Sequence, residues 1–164
     1  MANESEQFKK AKEYAFLLLK FRPRSINEFK EKLKRHGYSE EITDELIKDF
    51  KKRGLLDDSK FAKLWIEDRM HIKPMGKLKL KLELEGKGIN EEDINGAFDK
   101  LSADTNEYET AKGLAQKRLG QLGNLDRITI KRRIFEFLKR RGFSYDVVVR
   151  VTREVLDNES RCNS

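Results

Sequence analysis

The run Lys77-Leu78-Lys79-Leu80-Lys81-Leu82-Glu83-Leu84-Glu85 decides the fold class, because it reads two ways. Strict alternation of apolar and charged residues is the pattern of a half-buried strand. Leu, Lys and Glu, however, are all good helix formers, and no β-branched residue interrupts them. On a helix, Leu80 and Leu84 form one stripe, while Leu78 and Leu82 lie nearly opposite and need a neighbour within the chain or on a partner. The residues that follow settle the choice. Gly88-Ile89-Asn90 comes four residues after Leu84, and the same spacing occurs twice more in the chain.

The first copy is Leu33-x-x-x-Gly37-Tyr38-Ser39 and the third is Leu138-x-x-x-Gly142-Phe143-Ser144. Phe29, Leu80 and Ile134 stand four residues before each Leu, and Leu46, Ala97 and Val151 nine residues after each Gly. Pro23 and Pro74 precede the first two glycines at equal distance, and the glycines are spaced by 51 and 54 residues. Each copy reads as a helix, a glycine corner and a second helix. Glycine past the last apolar position adopts the left-handed C′ conformation, and the next apolar residue packs back on the helix end. Ser39, Asn90 or Ser144 then caps the following helix. Glu40, Glu41, Glu91, Glu92 and Asp93 suit the positive end of the helix dipole in the first two copies.

A further helix precedes each pair, over roughly 6–20, 58–71 and 106–120. Ser25-x-x-Glu28 is a capping-box pattern. Asp57 or Asp58 can cap the helix of Phe61, Ala62 and Trp65, and Asp104 or Thr105 that of Ala111, Leu114 and Ala115. The expected fold is therefore all-α, an elongated tandem array of three three-helix repeats. Its expected boundaries are 1–54, 55–103 and 104–158, the last of them basic, followed by a polar tail over 159–164.

Composition agrees with this reading. The 164 residues carry 36 Lys and Arg against 29 Asp and Glu, a net charge of +7. Charged residues reach 40 %, far above the roughly 25 % usual in globular domains, which suits small units with thin cores. No apolar run is long enough to span a membrane, and the first dozen residues lack an apolar signal core. The single cysteine, Cys162, precludes a disulfide framework and fits a reducing compartment, so a cytoplasmic location is expected. With Cys162, His36 and His71 as the soft ligands, no structural zinc site is expected.

Catalytic constellations are absent. Gly86-Lys87-Gly88 lacks the spacing and hydroxyl residue of a phosphate-binding loop. His36 and His71 each fall in the last turn of an expected helix, where a carbonyl partner suits them. Asp57-Asp58 reads better as capping than as a catalytic pair. No catalytic residue, cofactor, metal or small-molecule substrate is expected.

Charge gathers in one place. From Ala111 to Arg141 ten cations face only Asp126 and Glu136, a local net charge of +8. Lys131, Arg132 and Arg133 open one helix, and Lys139, Arg140 and Arg141 close it. Positions 132, 133, 139 and 140 fall along one side. Such a stripe either attracts a polyanion or is a solvated face; the shortage of nearby acids favours the first. Arg22 and Arg24, with Lys20, form a smaller cluster. Phe135, Phe137 and Phe143 interleave with the cations, as stacking platforms or, better, as core.

The chain resembles the RecX family, regulators of the RecA recombinase. The residues that carry the resemblance are Gly54-Leu55-Leu56-Asp57-Asp58-x-x-Phe61-Ala62-x-x-Trp65, Arg22-x-Arg24-Ser25-x-x-Glu28-Phe29, and Pro74-x-Gly76 followed by Glu83-Leu84-x-x-Lys87-Gly88-Ile89. Arg140-Arg141-Gly142-Phe143-Ser144 is similar to the corner of the family's third repeat. The match spans roughly 11–156. It departs at Met75, where the family often has a basic residue, and at Phe29, commonly Leu. The resemblance implies binding to RecA and its nucleoprotein filament, lowered recombinase, ATPase and co-protease activity, and no enzymatic activity of its own. Single- or double-stranded DNA is a further expected partner, and the lack of a long heptad seam argues for a monomer. Other readings of the same features are a stand-alone nucleic-acid-binding protein acting through its basic third repeat, and a helical-repeat adaptor of unrelated partner.

Overall fold

Three helix ends in this chain are built alike, and they set the architecture. Gly37, Gly88 and Gly142 have φ of 95°, 78° and 80°. At each corner the N–H after the glycine donates to the carbonyl of the repeat leucine: Tyr38 to Leu33 at 3.3 Å, Ile89 to Leu84 at 3.1 Å, Phe143 to Leu138 at 3.4 Å. The glycine N–H itself donates three residues back, to Lys34, Glu85 and Lys139. This is the Schellman arrangement, which satisfies carbonyls that a helix end leaves free.

The computed structural model describes residues 2–101, 106–123 and 125–162, with side chains described from 6 to 158. Among the described residues there are nine helices and no strand: α1 Ala2–Phe21, α2 Ile26–Arg35, α3 Glu40–Lys52, α4 Asp58–Ile72, α5 Lys77–Glu85, α6 Glu91–Leu101, α7 Glu107–Gly120, α8 Arg127–Arg140 and α9 Tyr145–Cys162. They form three three-helix repeats in tandem, α1–α3, α4–α6 and α7–α9. The leucine–lysine run is α5. Leu80 and Leu84 are 1 % and 0 % exposed, whereas Leu78 and Leu82 remain 56 % and 67 % exposed, so no element among the described residues covers the second stripe.

The helices start as their sequences dictate, with three differences of detail. Ser25 Oγ accepts from Glu28 N–H at 3.1 Å, but the Glu28 carboxylate does not close the capping box; it goes to Arg22 and Lys87. Asp57 caps α4 by accepting from Lys60 N–H at 3.0 Å, while Asp58, one residue on, serves another helix. Asn106 caps α7; Asp104 and Thr105 lie outside the described residues. At the other end α9 continues through Cys162, so the helix runs into the polar stretch that begins at residue 159.

The chain forms two compact units, Met1–Trp65 with Leu84–Ala97, and Ile66–Glu83 with Phe98–Ser164. In the first, Ala11, Ala15, Phe29, Leu33, Leu46 and Phe50 make a core with 0 % exposure. In the second, Ala111, Ala115, Ile134, Leu138 and Val151 are equally buried, with Phe143 and Val148 beside them. The residues at which the sequence departs from the family pattern, Phe29 and Met75, are both buried, at 0 % and 3 %. Position 75 is a packing position here, so methionine fills space and forgoes no surface cation.

Each unit contains one joint between successive repeats. In the first unit, Ser25 Oγ donates to the Lys87 carbonyl at 2.8 Å, and Ile26 N–H donates to Asp58 Oδ1 at 2.8 Å. Gly88 lies so close to Asn27 that a Cβ there would stand 2.6 Å from the Asn27 Cβ. In the second, Gly76 N–H donates to the Arg141 carbonyl at 2.9 Å and Leu78 N–H to the Gly142 carbonyl at 3.2 Å. The start of a repeat's middle helix thus sits on the glycine corner of the next repeat. At the second joint free N–H groups meet free carbonyls, and at the first the Ser25 hydroxyl and the Asp58 carboxylate complete the match. At both, a helix N-terminus faces a helix C-terminus.

Candidate functional site

The α8 sequence places its cations by elementary geometry. Ile130, Ile134 and Leu138, four residues apart, are 5 %, 0 % and 0 % exposed and fix the inward face. At about 100° per residue, Arg132, Arg133, Lys139 and Arg140 then occupy a sector of roughly 120° on the opposite side. Lys131 lies outside that sector and lines a cleft with α9. All five are exposed, and among the described residues none has a carboxylate partner. Asp126 caps the helix by accepting from Thr129 N–H at 2.9 Å; the Thr129 side chain first, and then its N–H, hold the carboxyl below the ordinary range. Lys139 and Arg140 close the last turn, where the dipole favours cations.

The other expected contact residues have internal partners. The Arg141 guanidinium donates to the Pro74 carbonyl at 2.8 Å and lies 5.1 Å over the Phe137 ring. It helps hold the second joint, as does Lys79, which donates to the Arg140 carbonyl at 3.3 Å. Arg22 bonds Glu28 at 3.1 Å, and Arg24 donates to the Leu18 carbonyl at 3.1 Å. Phe143 is buried, and Phe135 and Phe137 are partly so, as core packing requires.

The signature residues converge on the first joint. Phe61 and Ala62 are buried, at 4 % and 0 %. Trp65 stacks on Phe61 with centroids 5.8 Å apart, and Lys87 Nζ sits 4.1 Å from the Trp65 centroid. The same ammonium pairs with Glu28 at 2.7 Å. Partial burial of Glu28 works against its charge, but Lys87 and Arg22 outweigh it and hold the carboxyl below the usual range. Burial also acts on Asp58, and there it wins: the carboxyl is raised despite the bond from Ile26 N–H, with Asp93 adding to the rise. In the second unit, Glu83 pairs with Arg69 at 2.9 Å, and Gly76 lies against the Gly142 carbonyl. These signature positions thus build joints and cores.

One group escaped the sequence reading. Tyr145, Thr152 and Arg153 on α9 border a cleft of about 430 Å³ together with Lys131 and Phe135 of α8. Arg153 lies beyond the cationic segment that ends at Arg141, so a count along the chain passes over it. A signal existed for Thr152 alone: Val148, Val151 and Val155 put it beside the buried row of an amphipathic helix, whereas Arg153 falls on the exposed side. Among the described residues, no group of His, Cys, Asp or Glu could hold a metal ion, and no helix is long and apolar enough to cross a membrane.

Comparison with known proteins gives this geometry its context. Three family models match in order: RecX, first three-helix domain, over residues 11–50; second, over 57–97; third, over 105–152. A regulatory protein RecX from Amycolatopsis mediterranei is 36 % identical over 151 residues, covering 92 % of this chain and 86 % of its own. One from Clostridioides difficile is 33 % identical over 154 residues, covering 94 % and 72 %. The crystal structure of RecX from Lactobacillus salivarius superposes with a TM-score of 0.82 at 22 % identity, over 92 % of this chain and 97 % of that one, a likeness of fold. With consecutive domain models and relatives above 30 % identity along nearly its whole length, this chain belongs to the RecX family of regulatory proteins.

Proposed function

We propose that this protein binds the RecA recombinase on its nucleoprotein filament and lowers its recombinase, ATPase and co-protease activity, thereby modulating recombination and DNA repair. The observation that carries the reading is the exposed cation set of α8, Arg132, Arg133, Lys139 and Arg140 on its outer face and Lys131 at the cleft beside it, which has no carboxylate partner among the described residues. Such a cluster focuses a positive field on its surroundings. A filament groove presents DNA phosphates and acidic protein surface, and both are targets for that field. Arg22, Arg24 and Arg141 contribute to binding through their charge, while their head groups stay bonded within the chain.

In this mechanism a monomer contacts several neighbouring filament protomers through its successive repeats. Individually weak contacts act together through effective concentration. The bound filament is held in a state that turns over ATP poorly and does not extend. The chain performs no chemistry of its own.

Replacing Lys131, Arg132, Arg133, Lys139 and Arg140 by Glu tests the role of α8. All five side chains are exposed, so the variant should keep its helical circular dichroism and a cooperative melt, with a modest loss in melting temperature from Glu at the end of α8. The half-inhibitory concentration for DNA-dependent ATP hydrolysis should rise at least tenfold. Undiminished inhibition by a folded variant would remove α8 from the mechanism. A stand-alone DNA-binding function is separated by titrating bare DNA at two salt concentrations: tight, steeply salt-dependent binding, with no effect on the recombinase, would favour it.

A further inference from the structure

The cleft between α8 and α9 has a chemistry that a merely cationic face would not need. Its volume is about 430 Å³, within the range of small-ligand sites. Phe135 and Tyr145 meet edge to face along one wall, with centroids 6.1 Å apart and ring planes at 78°. Tyr145 is 71 % exposed, so most of its ring is open to a partner. Lys131 and Arg153 also border the space, and among the described residues neither has a carboxylate partner. Arg127 and Asp157 pair with each other at 3.0 Å on the rim, leaving the two unpartnered cations to set the charge.

Thr152, another lining residue, is 1 % exposed, and its hydroxyl has no hydrogen-bond partner among the described residues. A buried hydroxyl left unpaired lowers stability unless something else repays it. Tyr145 and Arg153 also border a second cleft of about 440 Å³, lined by α9 residues. There Glu154 is taken up by Lys112 at 2.6 Å, and Asp146 lies in the first turn of α9, where the helix dipole favours it.

We infer that this cleft takes one nucleotide of a single strand, its base against the Tyr145 ring and its phosphate between Lys131 and Arg153. Aromatic faces accept any base, and flanking cations track the backbone. An acidic peptide would satisfy the cations but make no use of the aromatic wall. The second cleft gives the neighbouring nucleotide room on the far side of Tyr145. The inference rests on the reading of α8 as a polyanion-binding face, and it assigns that face its ligand unit.

The test uses the full chain without recombinase, so its failure is distinguishable from a failure to inhibit the filament. A fluorescein-labelled twelve-residue oligo(dT) is titrated by anisotropy beside an abasic strand with the same phosphates. The base-bearing strand should bind about tenfold more tightly. Tyr145→Ala should remove that advantage and leave the abasic strand unchanged, whereas Arg153→Ala should weaken both strands. Equal affinity for the two strands, or an undiminished advantage in Tyr145→Ala, would overturn the proposal. Deoxythymidine monophosphate should displace the strand only at concentrations at least tenfold higher. Displacement at equal nucleotide concentration would overturn the assignment to a strand.

Discussion

Asp57 and Asp58 are neighbours with the same side chain, yet they serve different helices. Asp57 caps its own α4, while Asp58 crosses to Ile26 N–H at the start of α2. The two acids were legible in the sequence as cap candidates; their division of labour was not, because it depends on α2 standing beside α4. Asp58 combines two opposing effects: burial disfavours its charge, and the bond from Ile26 needs an acceptor. Its carboxyl is therefore raised, so protonation stabilises the folded state as pH falls through that raised value. Asp58→Asn keeps an acceptor oxygen and removes the desolvated charge. Its melting temperature should equal or exceed wild type at neutral pH, and the difference should shrink in acid. Asp58→Ala leaves Ile26 N–H unpaired and should lose about 1–2 kcal/mol in denaturant unfolding. Equal stability of the two variants at neutral pH would contradict this assignment.

Helix ends, more than helix faces, determine how the elements join. The Leu-x-x-x-Gly-apolar pattern contained enough information to locate three Schellman ends and the helices around them, because that motif depends on local backbone chemistry alone. It also resolved the leucine–lysine run, since a strand through 77–85 would have no route into the Gly88 corner. What the pattern lacked was the receptor for each corner. The docking of α5 on Gly142 and of the Ser25 turn on Gly88 depends on residues more than fifty positions apart. Arg141 illustrates that gap: the sequence offers it as a contact cation, and its bond to the Pro74 carbonyl at a joint was not legible there. Gly76 is the sharpest test of joint packing, because a methyl there would overlap the Gly142 carbonyl, which belongs to backbone and cannot swing aside. Gly76→Ala should lose about 3 kcal/mol. Gly96→Ala, inside α6 with nothing within 4 Å of the new methyl, should gain about 0.5–1 kcal/mol from helix propensity. Urea unfolding of both variants checks the pair; a similar effect of the two substitutions would contradict the joint.

Across the whole molecule, composition and charge are unevenly shared. The segment from Ala111 to Arg141 carries a net +8 in a chain of +7, so the remainder is close to neutral. This asymmetry was readable from the chain alone, but which cations stay free was not. Burial of Ile130, Ile134 and Leu138 turns Arg132, Arg133, Lys139 and Arg140 outward and leaves Lys131 at the cleft with α9, and the joints retain others. The fold thus separates cations that hold repeats together from cations without a carboxylate partner among the described residues, the set proposed above to meet a polyanion. Binding of that kind falls with ionic strength, since it releases condensed counterions and screens over about 10 Å at 0.1 M salt. The most direct measurement is the steady-state rate of DNA-dependent ATP hydrolysis by the recombinase as this protein is titrated in, at low and at high salt. The account predicts a rate that falls with added protein and a higher half-inhibitory concentration at high salt. A rate that stays constant over the whole titration at low salt would contradict it.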